Sequence, residues 1–280
     1  MTLLQQTLAA AGLLALITPG TALPAAAMQA GAAQPSGDSQ AAREKGYAIA
    51  ERSDKTDEGF GTSTVDLTMT LMDPRGRETV RKLRIDTFEK EGRGSGDKSL
   101  TRFFSPPDVE GTALLSHAKI LDPDNQWLYL PALRRVKRIS SSNKSGPFVG
   151  SEFAFEDLTS NELGKYEYTY LETVEMNGLQ LDKLECRPLY ERSGYSKLHC
   201  YFDTDVFQSR RVEFFDRGGR LLKTLELDDY RQYPGGYWRA HRQTMTNHLT
   251  GKKTVLVSSD YTFGINLDNR DFEPSALDRL

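Results

Sequence analysis

The sequence predicts a mainly β fold, a strongly curved antiparallel sheet that closes toward a barrel. Three observations carry this. Residues 64–71 alternate strictly, with Val65, Leu67, Met69 and Leu71 on one face and Thr64, Asp66, Thr68 and Thr70 on the other, the period-2 signature of a half-buried strand. Strand-length runs recur along the rest of the chain, separated by short Gly, Pro and Asn-Gly signals. Helix-length patterns are almost absent among them, which disfavours a βαβ sheet.

The first 27 of the 280 residues read as a cleavable export signal: an apolar stretch from Leu8 to Ile17, the breakers Pro19 and Gly20, then small residues to Ala27, where cleavage is placed. No Lys or Arg precedes the stretch. Its ten apolar residues fall short of the roughly 20 needed to span a bilayer. Residues 28–38 form a Gly-, Ala-, Gln- and Ser-rich flexible lead, and residues 39–280 a single domain. A helix is predicted from Ser39 to about Arg52, with Tyr47, Ile49 and Ala50 among its apolar residues, covering one end of a sheet.

After the strand at Val65–Leu71 and the turn Asp73-Pro74-Arg75-Gly76, a second strand is predicted over Thr79–Glu89. Further strands follow over Ser99–Phe104, Ala113–Leu121, Gln126–Leu130 and Arg134–Ser140. Beyond a long irregular stretch come Lys165–Val174, Leu179–Tyr190, Tyr195–Phe202, Gln208–Asp216, Arg220–Tyr230, Tyr237–Thr246 and Lys252–Phe263. Short connectors such as Met176-Asn177-Gly178 make this an antiparallel meander of about a dozen strands, which must curl or close on a lid to bury one apolar face.

Charged residues make up 27% and hydrophobic ones 38%, ordinary for a chain that buries a core. A net charge of −3 gives no general attraction to nucleic acid. GxSxG and HExxH are absent, and His117, His199, His241 and His248 lie on separate segments without ligand spacing, so no catalytic residue, metal or cofactor is assigned. Gly92, Gly94 and Gly96 lack the Lys-Ser/Thr of a phosphate loop and read as a hairpin tip. The acidic pairs Glu156-Asp157 and Asp228-Asp229 read as surface charge. Cys186 and Cys200 flank Ser193-Gly194 symmetrically, which leaves two states open in an oxidising compartment: a disulfide, or two separate buried thiols.

Two segments stand apart. Arg134, Arg135, Lys137, Arg138 and Lys144 form a dense basic run in a slightly acidic chain, either a charge-protected strand edge or a handle for phosphate head groups or an acidic partner. In the loop that follows, Phe148, Phe153, Phe155 and Leu158 read either as a plug at the end of the barrel or as a lid over a ligand cavity.

These same segments carry a resemblance. RFFSPPDVEGTALLSH, DNQWLYLPALRRVKRISSSNKSGPFVGSEFAFEDL, FFDRGGRLLKTLEL, TGKKT and YTFGINLDNRDFEP resemble the LolA-like outer-membrane lipoprotein-sorting protein family, in the branch found with RND-type membrane transporters; the string from ISSSNKSG to EDL is the most specific. The resemblance implies an incomplete barrel with a few capping helices, a hydrophobic cavity for acyl chains and no catalytic residues. It further implies a monomeric periplasmic shuttle between inner and outer membranes, served by an inner-membrane RND-type transporter and an outer-membrane acceptor. On this reading the cavity lining is Val65, Leu67, Met69, Leu71, Leu83, Ile85, Leu225 and Leu227, residues that fit a filled core equally well. The competing reading is a non-carrying periplasmic adaptor subunit.

Overall fold

The computed structural model describes residues 37–89, 95–160 and 162–279. The proposed export signal and Gly92 and Gly94 lie outside them. Helix α1 (Gly37–Lys55) is followed by strands β1 (Thr62–Met72), β2 (Glu78–Phe88), β3 (Ser95–Ser105), β4 (Ala113–Lys119), β5 (Asn125–Leu130) and β6 (Arg135–Arg138). After a connector containing only short 3-10 turns come β7 (Tyr166–Met176), β8 (Leu179–Pro188), β9 (Tyr195–Asp203), β10 (Ser209–Asp216), β11 (Leu221–Gln232), β12 (Trp238–Asn247), β13 (Lys253–Ser258) and β14 (Thr262–Phe263). The single strand expected over Lys252–Phe263 is thus broken, and β14 returns to pair with β1.

The fold is mainly β, as predicted. The sheet runs β6-β5-β4-β3-β2-β1-β13-β12-β11-β10-β9-β8-β7, so it consists of two antiparallel meanders joined where β1 pairs with β13. This order leaves β6 and β7 as the two edges. The chain between them, residues 139–165, therefore has to travel from one edge of the curved sheet to the other. That is the physical origin of the long irregular stretch.

Register places alternate residues on one face. Val65 lies opposite Ile85, Leu67 opposite Leu83, Leu83 opposite Phe103, and Met69 opposite Leu256. Leu225 is paired with both Val212 and Met245. These side chains belong to one large core on the concave face, covered by α1 and the 139–165 connector. A smaller core of Leu100, Ala113 and Leu115 lies on the other face, where Phe272 and Leu277 of the C-terminal 3-10 turns cover it.

Two glycines are required by geometry. Asn177 and Gly178, with φ of 53° and 78°, form the tight turn between β7 and β8. Gly46 lets α1 lie directly on β7: a Cβ there would sit 2.7 Å from the backbone nitrogen of Tyr170.

Candidate functional site: the concave face and its covering connector

The lining residues named from the sequence come together, but not around an empty space. Val65, Leu67, Met69 and Leu83 are almost completely buried, and Leu71, Ile85 and Leu225 are half-buried against the same core. Leu227 is half-buried but stands outside that core, paired with Gln243. What fills the concavity is the connector itself. Phe148 and Phe153 are buried in the core, and Phe155 and Leu158 pack against it. The Phe148 ring lies 5.6 Å from both Phe103 and Phe155.

The sequence of the connector explains its path. Gly146, Pro147 and Gly150 break regular structure, and 3-10 turns form over Phe148–Gly150 and Phe155–Leu158. Pro147 and Ala154 form an isolated antiparallel bridge, which makes the intervening residues a compact apolar tongue. The Ala154 amide donates to Asp157 Oδ2 at 2.7 Å, closing the second turn.

Polar groups pin this tongue to the sheet at several points. Lys223 of β11 donates to Asp157 Oδ2 at 2.5 Å and to the Glu152 carbonyl at 3.0 Å, while the Tyr195 hydroxyl donates to Asp157 Oδ1 at 2.7 Å. Glu156 accepts from the Gly194 amide at 2.9 Å and from the Ser193 hydroxyl at 3.1 Å. Burial pushes the Glu156 carboxyl above the usual carboxylate range, with Asp157 next to it adding to the shift. Gln126 donates to the Phe155 carbonyl at 2.7 Å, the Glu152 amide donates to Thr254 Oγ1 at 2.9 Å, and Arg81 reaches the Val149 carbonyl.

Glu156 and Asp157 are therefore anchors in the interior, which corrects their reading as surface charge. Alternation fails as a guide here because both lie on a 3-10 turn, not on a strand. Lys223 and Tyr195 carry no local signal of this role, since their partner is remote in sequence. A lysine among Leu221, Leu222 and Leu225 is the one hint the sequence offers.

Leu71 borders a hollow of about 390 Å³ beside Gly150 and Glu152 of the tongue, and Leu67 and Leu83 border another of about 620 Å³ with Lys82, Arg84 and Phe104. A cavity of about 290 Å³ sits under α1, with Ala50, Tyr168, Cys200, Phe202, Val212 and Tyr230 among its walls and Asp54, Asp57, Glu58, Glu89 and Glu162 among its acidic residues. None of the eight lining residues named from the sequence borders it.

The basic run divides. Arg134, Arg135, Lys137 and Arg138 are exposed on or beside edge strand β6, whereas Lys144 is buried and donates to the Asp124 carbonyl. Burial lowers the Lys144 ammonium below its usual range. Lys144 is thus a structural residue, not part of the exposed patch. Cys186 and Cys200 are free, buried thiols. Cys186 pairs with Leu198 and Cys200 with Leu184, so the two stand diagonally across β8 and β9, not face to face. The disulfide left open by the sequence is not formed here; the two buried thiols instead contact each other across the diagonal. Among the described residues no group of three or more His, Cys, Asp and Glu side chains could hold a metal ion.

A Vibrio parahaemolyticus domain, provisionally described as an outer membrane lipoprotein-sorting protein, superposes with a TM-score of 0.81 at 47% identity, over 85% of this chain and 100% of that one. The chain belongs to the family of this outer-membrane lipoprotein-sorting protein domain. A DUF1329 family protein from Desulfovibrio piger gives a TM-score of 0.79 at 26% identity, over 84% of this chain and 99% of its own. The LolA superfamily protein NE2245 from Nitrosomonas europaea shares the LolA-like fold with a TM-score of 0.66 at 21% identity, over 81% of this chain and 96% of that one. A family model described as that of an uncharacterized protein matches residues 95–279. The uncharacterized protein PA3922 of Pseudomonas aeruginosa is 22% identical over 63% of this chain, which spans 49% of that relative's length.

Proposed function

We propose that the chain is an exported periplasmic carrier that takes acyl chains of lipids or lipoproteins onto its concave face and moves them between inner and outer membranes. The observation that carries this reading is the tongue. An apolar face of the sheet is covered by a separate run of phenylalanines, held by apolar packing and polar anchors but by no strand of the main sheet, so displacing it exposes a continuous apolar surface without breaking a strand. The description of the Vibrio relative as lipoprotein-sorting supports the same reading.

The physics favours burial without chemistry. Each methylene taken out of water is worth about 0.8 kcal/mol, so an acyl chain of about sixteen carbons gains roughly 12 kcal/mol from an apolar site. Phe148, Phe153, Phe155 and Leu158 cover the concave face and serve as its lid. The cavity beneath α1 continues that face and offers the first space for a chain end. The carrier is a monomer after cleavage following Ala27, residues 28–38 are a flexible lead, and residues 39–280 form the carrier domain, which catalyses no reaction. Arg134, Arg135, Lys137 and Arg138 contact a head group or a partner protein. An RND-type inner-membrane transporter delivers the cargo, and an outer-membrane acceptor receives it.

A second reading, a periplasmic adaptor that carries nothing, is favoured by the filling of the concavity by the tongue. Native mass spectrometry with lipid extraction on gently purified protein separates the two. Stoichiometric lipid or acylated peptide in the wild type, lost in a Phe153→Asp, Phe155→Asp double variant, is the expected result. Wild type that is empty and refuses added lipid would overturn the carrier reading in favour of the adaptor.

A further inference from the structure

Antiparallel order brings six turns to one rim of the sheet: residues 73–77, 106–112, 131–134, 189–194, 217–220 and 248–252. These turns support one another sideways. Gly111 abuts Pro131, Gly251 lies against Pro74, and Arg217 donates to the Ser193 carbonyl at 3.0 Å. The rim also continues across the gap between the sheet edges, because Arg192 reaches Ser141 at 3.4 Å.

Two features coincide there. Leu133, Leu189 and Leu249, each in a different turn, are 63%, 55% and 55% exposed. Exposed cations flank them: Arg134 and Arg135 beside Leu133, Arg192 beside Leu189, Arg217 on the neighbouring turn, and Lys252 and Lys253 beside Leu249. Of the acidic residues on this rim, Asp73 and Asp216 are each tied to an arginine of their own turn, Arg77 and Arg220. Glu78, Asp108, Glu110 and Glu191 remain exposed, and the cations outnumber them. Among the described residues of the opposite rim, Glu58, Asp122 and Asp205 are exposed.

Isolated exposed leucines need no explanation, but three in the turns of a single basic rim match the chemistry of a bilayer interface. Cations meet the anionic phosphates and the leucines enter the acyl boundary. We infer that this rim is a docking surface for anionic phospholipid bilayers, holding the protein end-on to the membrane with Leu133, Leu189 and Leu249 inserted. This rests on the carrier reading only for its purpose, namely placing the tongue, which is anchored beside the 189–194 turn through Glu156, near the lipid it would accept.

The test is sedimentation of the full mature chain with large unilamellar vesicles, either of phosphatidylcholine alone or with one-third phosphatidylglycerol. Binding to the anionic vesicles, weakened at high salt, is expected. A Leu133→Ser, Leu189→Ser, Leu249→Ser variant and, separately, an Arg134→Glu, Arg135→Glu variant should each lose about tenfold or more in affinity. A Leu121→Ser, Leu179→Ser variant on the other rim should bind as wild type does. Absence of binding, or binding that the first two variants do not change while they melt as wild type does, overturns the inference. Wild type that ignores vesicles yet is purified with lipid inside would refute the docking rim while leaving the carrier reading in place.

Discussion

Lys223 Nζ and Asp157 Oδ2 stand 2.5 Å apart, with only 4% and 5% of their side chains exposed. This buried pair joins the middle of the sheet to the tongue that covers it. Removing one partner of such a pair leaves a charge without compensation in the interior, which costs about 3–5 kcal/mol. Lys223→Met is therefore expected to lower stability by about that amount in urea denaturation. It should also speed amide exchange at residues 148–158 more than in β1.

Glu156 makes the tongue sensitive to pH. Its carboxyl titrates above the ordinary value of 4.5 because it is buried, so the folded state favours the protonated form. The associated stability is fully present below 4.5 and is lost as pH rises through the raised value. Glu156→Gln should accordingly melt higher than wild type at neutral pH, with the difference vanishing below the ordinary range. Equal melting temperatures across the whole pH range would contradict the burial argument.

Glu213 behaves in the opposite way. His199 beside it, with Arg211 and Tyr201, holds its carboxyl down to about 2, against an ordinary 4.5. Its contribution is present above 4.5 and is lost as pH falls toward about 2. Wild type should thus lose stability in that acid window, and Glu213→Gln should show less of the loss. Thermal melts from pH 5 to pH 2 measure it.

Gly46→Ala reverses an ordinary rule. Alanine in a helix interior is normally better than glycine by about 1 kcal/mol. Here the added methyl meets the backbone of β7, at Tyr170 and Thr169, which cannot yield as a side-chain tip would. A net loss of about 1–3 kcal/mol is expected from the overpacking. A gain in stability would mean that α1 does not sit this closely on the sheet.

The sheet was largely legible in the sequence because its signals are local. Val65 to Leu71 alternate without interruption, and the Asn177-Gly178 turn announces its own hairpin. The pairing of β1 with β13 was not legible, since no local pattern says which distant strand lies alongside. That pairing is what makes β6 and β7 the edges and forces the connector across the concavity. The phenylalanines of the tongue were visible as an anomaly, but not whether they cover a hollow or fill one. Lys144 could not be told from Arg135 in a basic run, because only the fold decides which cation turns inward.

The central claim is that acyl chains bind where the tongue now lies. Photo-crosslinking with a diazirine-bearing acyl chain, followed by peptide mass spectrometry, tests it most directly. Crosslinks are expected in β1 and β2, around Val65 to Leu71 and Leu83, and in the tongue at Phe153 and Phe155, all competed away by unlabelled lipid. Crosslinks confined to the rim leucines, or none that lipid competes for, would contradict it.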